Sequence, residues 1–290
     1  MFFILQKEKD NWDTNTKIEI MMIESLLKQT RYTNEYIFMA LDDFYEFEEI
    51  DDDDFLYIPK KKLKNKSDFE VKFENAIPIG TIDFVSTWLK IFKGIERENA
   101  IEIPPILRTD EFLKRKYSIR KASEIPKTGR YFIKDATQLK VFSYDGDLEY
   151  FLFDEIFDPP KNEMDTTLRL DPNHLYQVSE IVKILSEYRV YIISGKIVSI
   201  EFYNGEPTIL PDVELIKKAN MLYSTQPDYP KSYSLDVMVT PRGTAITEIH
   251  NFTSLGLYST IWGTDLLYAY RDGIDYLINH NTQQTEFSNF

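Results

Sequence analysis

Two acidic residues in the segment YSLDVMVTPRGTAITEIHNF, residues 233–252, are placed where they could bind a metal ion. Apolar runs flank a Pro-Arg-Gly turn, and this pattern predicts a β-hairpin. With a three-residue loop, Thr240 pairs with Thr244, and Asp236 lies directly opposite Glu248. Facing like charges destabilise a sheet, so a cation should lie between the two acids, and a divalent ion with oxygen ligands is the simplest candidate. Replacing either acid with Ala should then leave the metal-free fold equally stable or slightly more stable.

Three basic residues fall within apolar runs that predict strands. Lys134 follows YFI, Lys140 precedes VF, and Arg189 opens the run RVYII. Each lysine could extend into solvent from an edge strand, and Arg189 could pair with Glu187, two residues earlier. Taken together, however, three cations and a pair of carboxylates are the parts needed to hold a nucleoside triphosphate with its magnesium ion.

Composition and missing motifs exclude several other chemistries. The 290 residues include no cysteine, which excludes disulfides, thiolate metal sites and thiol nucleophiles. His174 and His280 have no partners at metal-ligand or triad spacing and are interpreted as structural. Neither G-x-x-x-x-G-K-[ST] nor G-x-G-x-x-G occurs, so classical P-loop and dinucleotide-binding sites are excluded. KDAT at 134–137 resembles the lysine motif of nucleic-acid ligases that form a lysyl adenylate, but it lacks the glycine of that motif.

The formal net charge of -14 argues against general binding of nucleic acids or anionic membranes, since either partner requires a basic face. The apolar run at the N-terminus is too short for a signal peptide, and no later stretch could span a bilayer. We therefore expect an intracellular, cytoplasmic protein. Nine acids in residues 42–54 and five lysines in residues 60–66 predict a solvated loop with balancing charges, with docking to a partner as the alternative.

The elements that must position these charged groups begin with a strand and a helix. An apolar strand is predicted at residues 2–5 and an amphipathic helix at 16–30, which together indicate α/β layering. A second strand and a turn at Gly80 precede a helix that should begin near Thr81. We expect these elements to form a small α/β domain.

A linker and a strand-rich second part follow. Pro104 and Pro105 mark the linker, so we predict an α/β domain at residues 1–110 and an α+β domain at residues 111–290. In the second part, Ser194-Gly195 is the tip of a predicted hairpin. Two helices are also predicted there, at residues 211–224 and 263–280.

The order of these motifs resembles the ATP-grasp superfamily and, more narrowly, a clade of phages and bacteria that is marked by one arginine and two lysines. FIKDATQLKVF is similar to the lysine segment, with Lys134 and Lys140 in the lysine places. VSEIVKILSEYRVYIISGKIV is similar to the adenine hinge and arginine strand, with Arg189 in the arginine place. SLDVMVTPRGTAITEIHNFTSLGLYS is similar to the metal-binding hairpin. AIPIGTIDFV near residue 80 resembles the end of the preceding domain.

This resemblance implies an ATP-grasp fold of two α+β subdomains, preceded by a small α/β pre-grasp domain. ATP would lie between the subdomains, with its adenine at backbone groups of Glu180, Ile181 and Val182. Lys134 and Lys140 would contact phosphates or the purine edge.

The resemblance also implies a role for the acidic residues. Glu187 would reach the ribose or brace Arg189, and Asp236 and Glu248 would hold Mg²⁺. One position departs from the family pattern, because His250 stands where the superfamily usually has Asn, and Asn251 follows it. Neutral imidazole binds magnesium poorly. Asn251 therefore substitutes as the ligand, or His250 contacts phosphate, or metal binding is weakened.

The implied reaction is ATP-dependent ligation of a carboxylate to an amine through an acyl phosphate, with ADP and phosphate as products. Arg189 and Lys140 are the catalytic candidates, since a cation can stabilise the charge that develops during phosphoryl transfer. The substrates would be small-molecule or peptide acids and amines, and a homodimer stays open. The alternatives are a noncatalytic nucleotide-binding or interaction protein with the same fold, and a kinase-like transfer to a hydroxyl group.

Overall fold

The structure is a computed structural model that describes residues 1–7, 14–30, 33–48, 60–96, 98, 100–137, 143–147, 151–152, 168–253, 255–258, 261 and 263–287. The α-helices in these residues are α1 (Thr14–Gln29), α2 (Ile82–Lys93), α3 (Asp110–Leu113), α4 (Val213–Tyr223) and α5 (Asp265–Phe287). The strands are β1 (Phe2–Gln6), β2 (Glu35–Met39), β3 (Tyr45–Glu48), β4 (Lys60–Leu63), β5 (Ile77–Ile79), β6 (Tyr117–Lys121), β7 (Arg130–Asp135), β8 (Ser143–Asp147), β9 (Phe151–Leu152), β10 (Leu168–Arg169), β11 (Leu175–Glu180), β12 (Ser186–Ile193), β13 (Lys196–Gly205), β14 (Tyr233–Thr240) and β15 (Gly243–Asn251). Lys140 and residues 49–54 of the acidic run lie outside the described residues.

The first sheet is parallel, with the strand order β2-β1-β5. Its central strand is the predicted apolar run, and Phe3, Ile4 and Leu5 are fully buried, as expected for a parallel strand that is covered on both faces. Helix α2 begins where the sequence predicts, because the Thr81 hydroxyl accepts a hydrogen bond from the Phe84 amide and caps the helix.

The last helix completes the core of the first part of the chain. Leu266 and Tyr270 of α5 belong to the same buried apolar cluster as Phe3 and Trp88. A Cβ atom at Gly273 would lie 2.4 Å from the Phe252 carbonyl oxygen, so α5 can approach this backbone only where it has no side chain. The core thus extends across the linker region, and the division at residue 110 stays a prediction.

Two antiparallel sheets follow, with the strand orders β6-β11-β7-β8 and β13-β12-β14-β15. Residues 181–185 connect β11 of one sheet to β12 of the other. The predicted tip at Ser194-Gly195 does join β12 to β13, and both residues have a positive φ, 49° and 77°. That geometry matches the right-handed twist of the flanking strands.

The β13-β12-β14-β15 sheet has one apolar and one charged face. Val190, Leu235 and Ile249 lie on the apolar face, in a buried cluster that includes residues of α4. Side chains alternate between the faces of a strand, so Arg189 and Asp236 lie on the opposite face. This alternation is what concentrates charged groups on one surface.

The described part of the acidic run pairs with the lysine-rich segment. In the β3–β4 hairpin, Glu46 lies opposite Lys62, and Lys61 Nζ lies 2.9 Å from Asp42 Oδ1. None of the helices among the described residues is long and apolar enough to cross a membrane. The mixed α+β class predicted from the sequence is confirmed.

Candidate active site

The β14–β15 hairpin places the two acids opposite each other, but not through the predicted loop. Thr240 pairs with Gly243 instead of Thr244, so the turn has two residues. A bulge at Thr247 then inserts one extra residue into β15, and Asp236 pairs with Glu248. The loop prediction is wrong by one residue and the bulge compensates for it, so the facing acids are observed.

Asp236 forms a buried ion pair with Arg189. The two residues are Cα partners across β12 and β14, and they are 1% and 7% exposed. Arg189 Nε donates to Asp236 Oδ1 at 2.8 Å and Nη2 donates to Oδ2 at 2.7 Å, the two-pronged geometry that makes such pairs strong. Burial alone would lower the pKa of the guanidinium, but the carboxylate outweighs burial and raises that pKa above its ordinary value.

The rest of the Arg189 side chain is also held in place. Nη1 donates to the carbonyl oxygens of Leu255 and Gly256, and Cζ lies 5.0 Å from the centre of the Tyr258 ring. The ring of Tyr203 stacks on that of Tyr258 with centroids 5.2 Å apart. Of the five N–H groups of an arginine, four are used, and one on Nη2 remains for another acceptor.

Glu248 is compensated by two other groups. Lys134 Nζ lies 2.8 Å from Glu248 Oε2, and His250 Nε2 lies 2.7 Å from Oε1. Burial would raise the pKa of the Glu248 carboxyl, but His250 and Lys134 hold it well below its ordinary value. The cations that the facing acids require are therefore supplied, in this structure, by side chains.

Three potential metal ligands meet at this point. Ligand atoms of Asp236, Glu248 and His250 all lie within 4.8 Å of one another. The two carboxylates fit a divalent cation in type and spacing, since each oxygen keeps a lone pair beside its hydrogen bond. The imidazole is a donor that magnesium binds poorly, so the set fits a divalent cation while departing from what Mg²⁺ prefers.

Asn251 is not brought together with these ligands. It follows His250 in the strand, so its side chain points to the opposite face, the apolar face of Ile249. There its Oδ1 accepts a hydrogen bond from the Thr253 hydroxyl, and the residue is buried. Strand alternation thus separates Asn251 from Glu248 and favours His250 as the third ligand.

A cavity of about 290 Å³ lies between the two antiparallel sheets, close to the lower end of the roughly 300–1,000 Å³ typical of ligand sites. Six of the ten sequence-predicted site residues line it: Lys134, Glu180, Ile181, Val182, Glu187 and Glu248. A larger cavity of about 560 Å³ lies elsewhere and has none of the ten in its lining.

The hinge side of the cavity is fixed at one end and open along its backbone. Arg242, in the hairpin turn, donates to both carboxylate oxygens of Glu180 at 3.0 and 2.8 Å. This ion pair, with a hydrogen bond from the Lys116 amide, lowers the pKa of Glu180 to about 2. Among the described residues, the backbone groups of Ile181 and Val182 have no hydrogen-bond partner. These groups are available to a ligand in the cavity.

Glu187 also faces the cavity but does not brace Arg189. Its carboxylate accepts hydrogen bonds from Asn204 Nδ2 at 2.6 Å and from the Tyr203 hydroxyl at 3.4 Å. The carboxylate that pairs with Arg189 is instead Asp236. Glu187 therefore remains at the cavity wall.

Several lining residues were not predicted. Phe132 lies two residues before Lys134 on the same strand face, so strand alternation could have identified it. Arg115 is a buried cation whose guanidinium donates to the carbonyls of Ile246 and Thr247, and burial lowers its pKa to about 10. No local pattern indicates this contact, because it joins segments more than a hundred residues apart.

Solved structures of ATP-grasp ligases are similar to this chain. One is the D-alanine–D-alanine ligase from Bacillus anthracis complexed with ATP, with 12% sequence identity, 99% of both chains covered and a TM-score of 0.45. Another is the macrocyclase MdnC from Microcystis aeruginosa bound with the precursor peptide MdnA, with 12% identity, 96% of this chain and 100% of that chain covered, and a TM-score of 0.41. No curated protein matches the chain.

The sequence itself identifies the family. Residues 112–262 match an ATP-grasp domain, namely family 2 of the clade that is named for one arginine and two lysines, and this match covers more than half of the 290 residues. The matched segment contains the cavity residues Lys134 and Glu180 and the whole β14–β15 hairpin. The family predicted from the motifs is confirmed, and the chain belongs to the ATP-grasp superfamily, in family 2 of this arginine-and-two-lysine clade.

Proposed function

We propose that this protein is an ATP-dependent ligase that joins a carboxylate to an amine through an acyl phosphate. The observation that carries the proposal is the cavity of the ATP-grasp domain. It has a hinge with free backbone groups at one side and Lys134 with Glu248 at the other. Arg189 and Asp236 lie beside Glu248 on the same sheet face.

The hinge would bind the adenine of ATP. The backbone groups of Ile181 and Val182 can donate to and accept from the edge of a purine, and the apolar side chains of Phe132 and Met238 line the same cavity. The Arg242–Glu180 ion pair would hold the hinge against the hairpin turn. Glu187, at the wall, would accept a hydrogen bond from the ribose.

The charged end would hold the phosphates. Lys134 Nζ, now on Glu248, can donate to a phosphate oxygen from the same place. A divalent cation held by Asp236 and Glu248 would neutralise phosphate oxygens when bound. Arg189 offers the transferred phosphoryl group its one remaining N–H, at a position fixed by Asp236 and Leu255, and such preorganised donors are effective in catalysis. We keep Lys140 as a second catalytic cation.

The reaction then needs no covalent enzyme intermediate. A carboxylate oxygen of the substrate attacks the γ-phosphorus, and ADP leaves. The amine nitrogen next attacks the carbonyl carbon of the acyl phosphate, phosphate leaves, and the amine gives up a proton. We place this reaction in the cytoplasm, where ATP is abundant, with small-molecule or peptide substrates.

We also propose that residues 1–110 form the pre-grasp domain and residues 111–290 the ATP-grasp domain. The family match begins at residue 112, directly after this boundary. The parallel β2-β1-β5 sheet lies wholly before it. Helix α5 would then belong to the second domain and dock on the core of the first.

Product analysis tests the proposed reaction. The purified protein is incubated with labelled ATP, a divalent metal and pools of amino acids and peptides, and the nucleotides and amides are identified by chromatography and mass spectrometry. We expect ADP, phosphate and a new amide, and hydroxylamine should trap the acyl phosphate as a hydroxamate. Glu248→Gln should abolish turnover, whereas Glu214→Gln, an exposed substitution on α4, should not.

Other products would contradict the proposal. AMP with pyrophosphate would indicate adenylation, and a stable phosphorylated product would indicate a kinase. Bound ATP without turnover on any acceptor would indicate a noncatalytic nucleotide-binding protein.

A further inference from the structure

The third donor at the candidate metal site is an imidazole, and its position is fixed by the strand. His250 and Glu248 are separated by one residue, so their side chains share a face of β15. The His250 side chain is 12% exposed, and its Nε2 lies 2.7 Å from Glu248 Oε1. The ring is therefore held beside the carboxylates and does not sample the solvent freely.

The spacing of these donors suits a shared ion. Two ligands at right angles around an ion with bonds of about 2.1 Å lie roughly 3 Å apart, and opposite ligands lie roughly 4.2 Å apart. The separation of 2.7 Å between His250 and Glu248 is close to the first value, and the limit of 4.8 Å for all three residues is close to the second. Small shifts would place all three around one ion.

The type of donor decides which ion is favoured. Mg²⁺ takes oxygen ligands and loses water reluctantly, whereas imidazole suits first-row transition metals. The two carboxylates are also partly neutralised, Asp236 by Arg189 and Glu248 by Lys134. That neutralisation weakens the attraction for a hard ion, whose affinity depends mainly on charge, more than for an ion that also gains from nitrogen coordination.

A buried hydroxyl adds a second polar group at the same place. Ser234 lies directly opposite His250 in the hairpin, and it is fully buried. Its Oγ has no hydrogen-bond partner among the described residues. Buried polar groups are normally paired, so a hydroxyl left over beside the three ligands is what a site for an ion and its water would contain.

We infer that this site binds a divalent first-row transition metal, with Mn²⁺ as the test ion, in preference to Mg²⁺, through His250 Nε2 together with Asp236 and Glu248. The inference deepens the proposed function and rests on it, since it takes the same hairpin as the site of the metal that accompanies ATP. His250 is thereby the residue that determines metal specificity.

Direct binding tests the inference without any turnover. Mn²⁺ bound to the full-length protein is measured by electron paramagnetic resonance, with and without β,γ-methylene-ATP, while Mg²⁺ is added as competitor. We expect His250→Asn to lower the preference for Mn²⁺ over Mg²⁺ by about tenfold or more, as the loss of even an outer-shell partner costs a metal site roughly 10–100-fold. His280→Asn, the same substitution on α5, should leave the preference unchanged.

The wild-type protein provides a second readout that depends on no substitution. In protein labelled with ¹⁵N-histidine, pulsed electron paramagnetic resonance should show ¹⁵N coupled to bound Mn²⁺, and the unlabelled adenine cannot produce this signal. No ¹⁵N coupling, or an unchanged preference in His250→Asn, would overturn the inference, even if amide formation with Mg²⁺ upheld the proposed function. Conversely, ¹⁵N coupling and a changed preference would support the inference even if no ligation were found.

Discussion

Replacing Asp236 with Ala should destabilise the metal-free protein, because it leaves Arg189 as a buried cation without its carboxylate. The two side chains are only 2% and 9% exposed and are joined by hydrogen bonds of 2.8 and 2.7 Å. Removing one member of a buried ion pair costs about 3–5 kcal/mol. At about 2 °C per kcal/mol for a large domain, the melting temperature should fall by roughly 6–10 °C. This reverses the expectation from the sequence, which considered only repulsion from Glu248.

Thermal and urea unfolding, followed by circular dichroism without metal or nucleotide, measure this effect. Arg189→Ala should be destabilising to a similar degree, since it leaves Asp236 buried and unpaired. The double variant R189M/D236L should recover most of the loss, because apolar side chains of similar size can replace a buried ion pair at little cost. Glu214→Ala breaks an exposed ion pair with Lys217 and should change the unfolding curve little.

The opposite sign would refute the reasoning. If Asp236→Ala melted at the wild-type temperature or above it, Asp236 would be a net burden, as the sequence alone suggests, and the Arg189 pair would contribute nothing. A double variant as unstable as the combined single variants would show that the two residues act independently.

Three further predictions concern the nucleotide site and the core. Lys134→Ala should weaken ATP binding by about 1.5–3 kcal/mol, the range for a hydrogen bond to a charged group, and AMP binding less, as calorimetry can show; equal losses would place Lys134 near the adenine. Because Arg242 holds the pKa of Glu180 at about 2, below the ordinary 4.5, the stability from this pair is present above about pH 4.5 and is lost as the pH falls towards 2. Urea unfolding from pH 5 to pH 2 should therefore show a shallower decline for Glu180→Gln than for the wild type. Gly273→Ala should lower the melting temperature, since its Cβ would lie 2.4 Å from the Phe252 carbonyl, and an unchanged melting temperature would argue against this close approach.

The sequence indicated the charged face because alternation along a strand is a local property. Asp236 and Glu248 could be placed on one face of a hairpin from the residues between them. The count of those residues was right for the wrong reason, since a bulge at Thr247 offset a shorter turn. Bulges leave little trace in the pattern of apolar residues, so the register could not be derived with certainty.

The pairing of the charges was not accessible in the same way. Arg189 and Asp236 are neighbours because β12 lies beside β14, and the order of strands in a sheet is a long-range property. The sequence therefore suggested Glu187, the acid nearest along the chain, as the partner of Arg189. Asn251 was predicted as a ligand from the family pattern, although alternation alone places it on the face opposite Glu248.

The sharing of one core by the two ends of the chain also affects how the protein can fold during synthesis. Phe3 and Trp88 pack with residues of α5, yet 171 residues separate Lys93 from Asp265. At about 5–20 residues per second, the ribosome needs roughly 9–34 s to make that stretch. For this time the apolar surface that α5 will cover stays open, and it is the part of the nascent chain that we expect chaperones to bind.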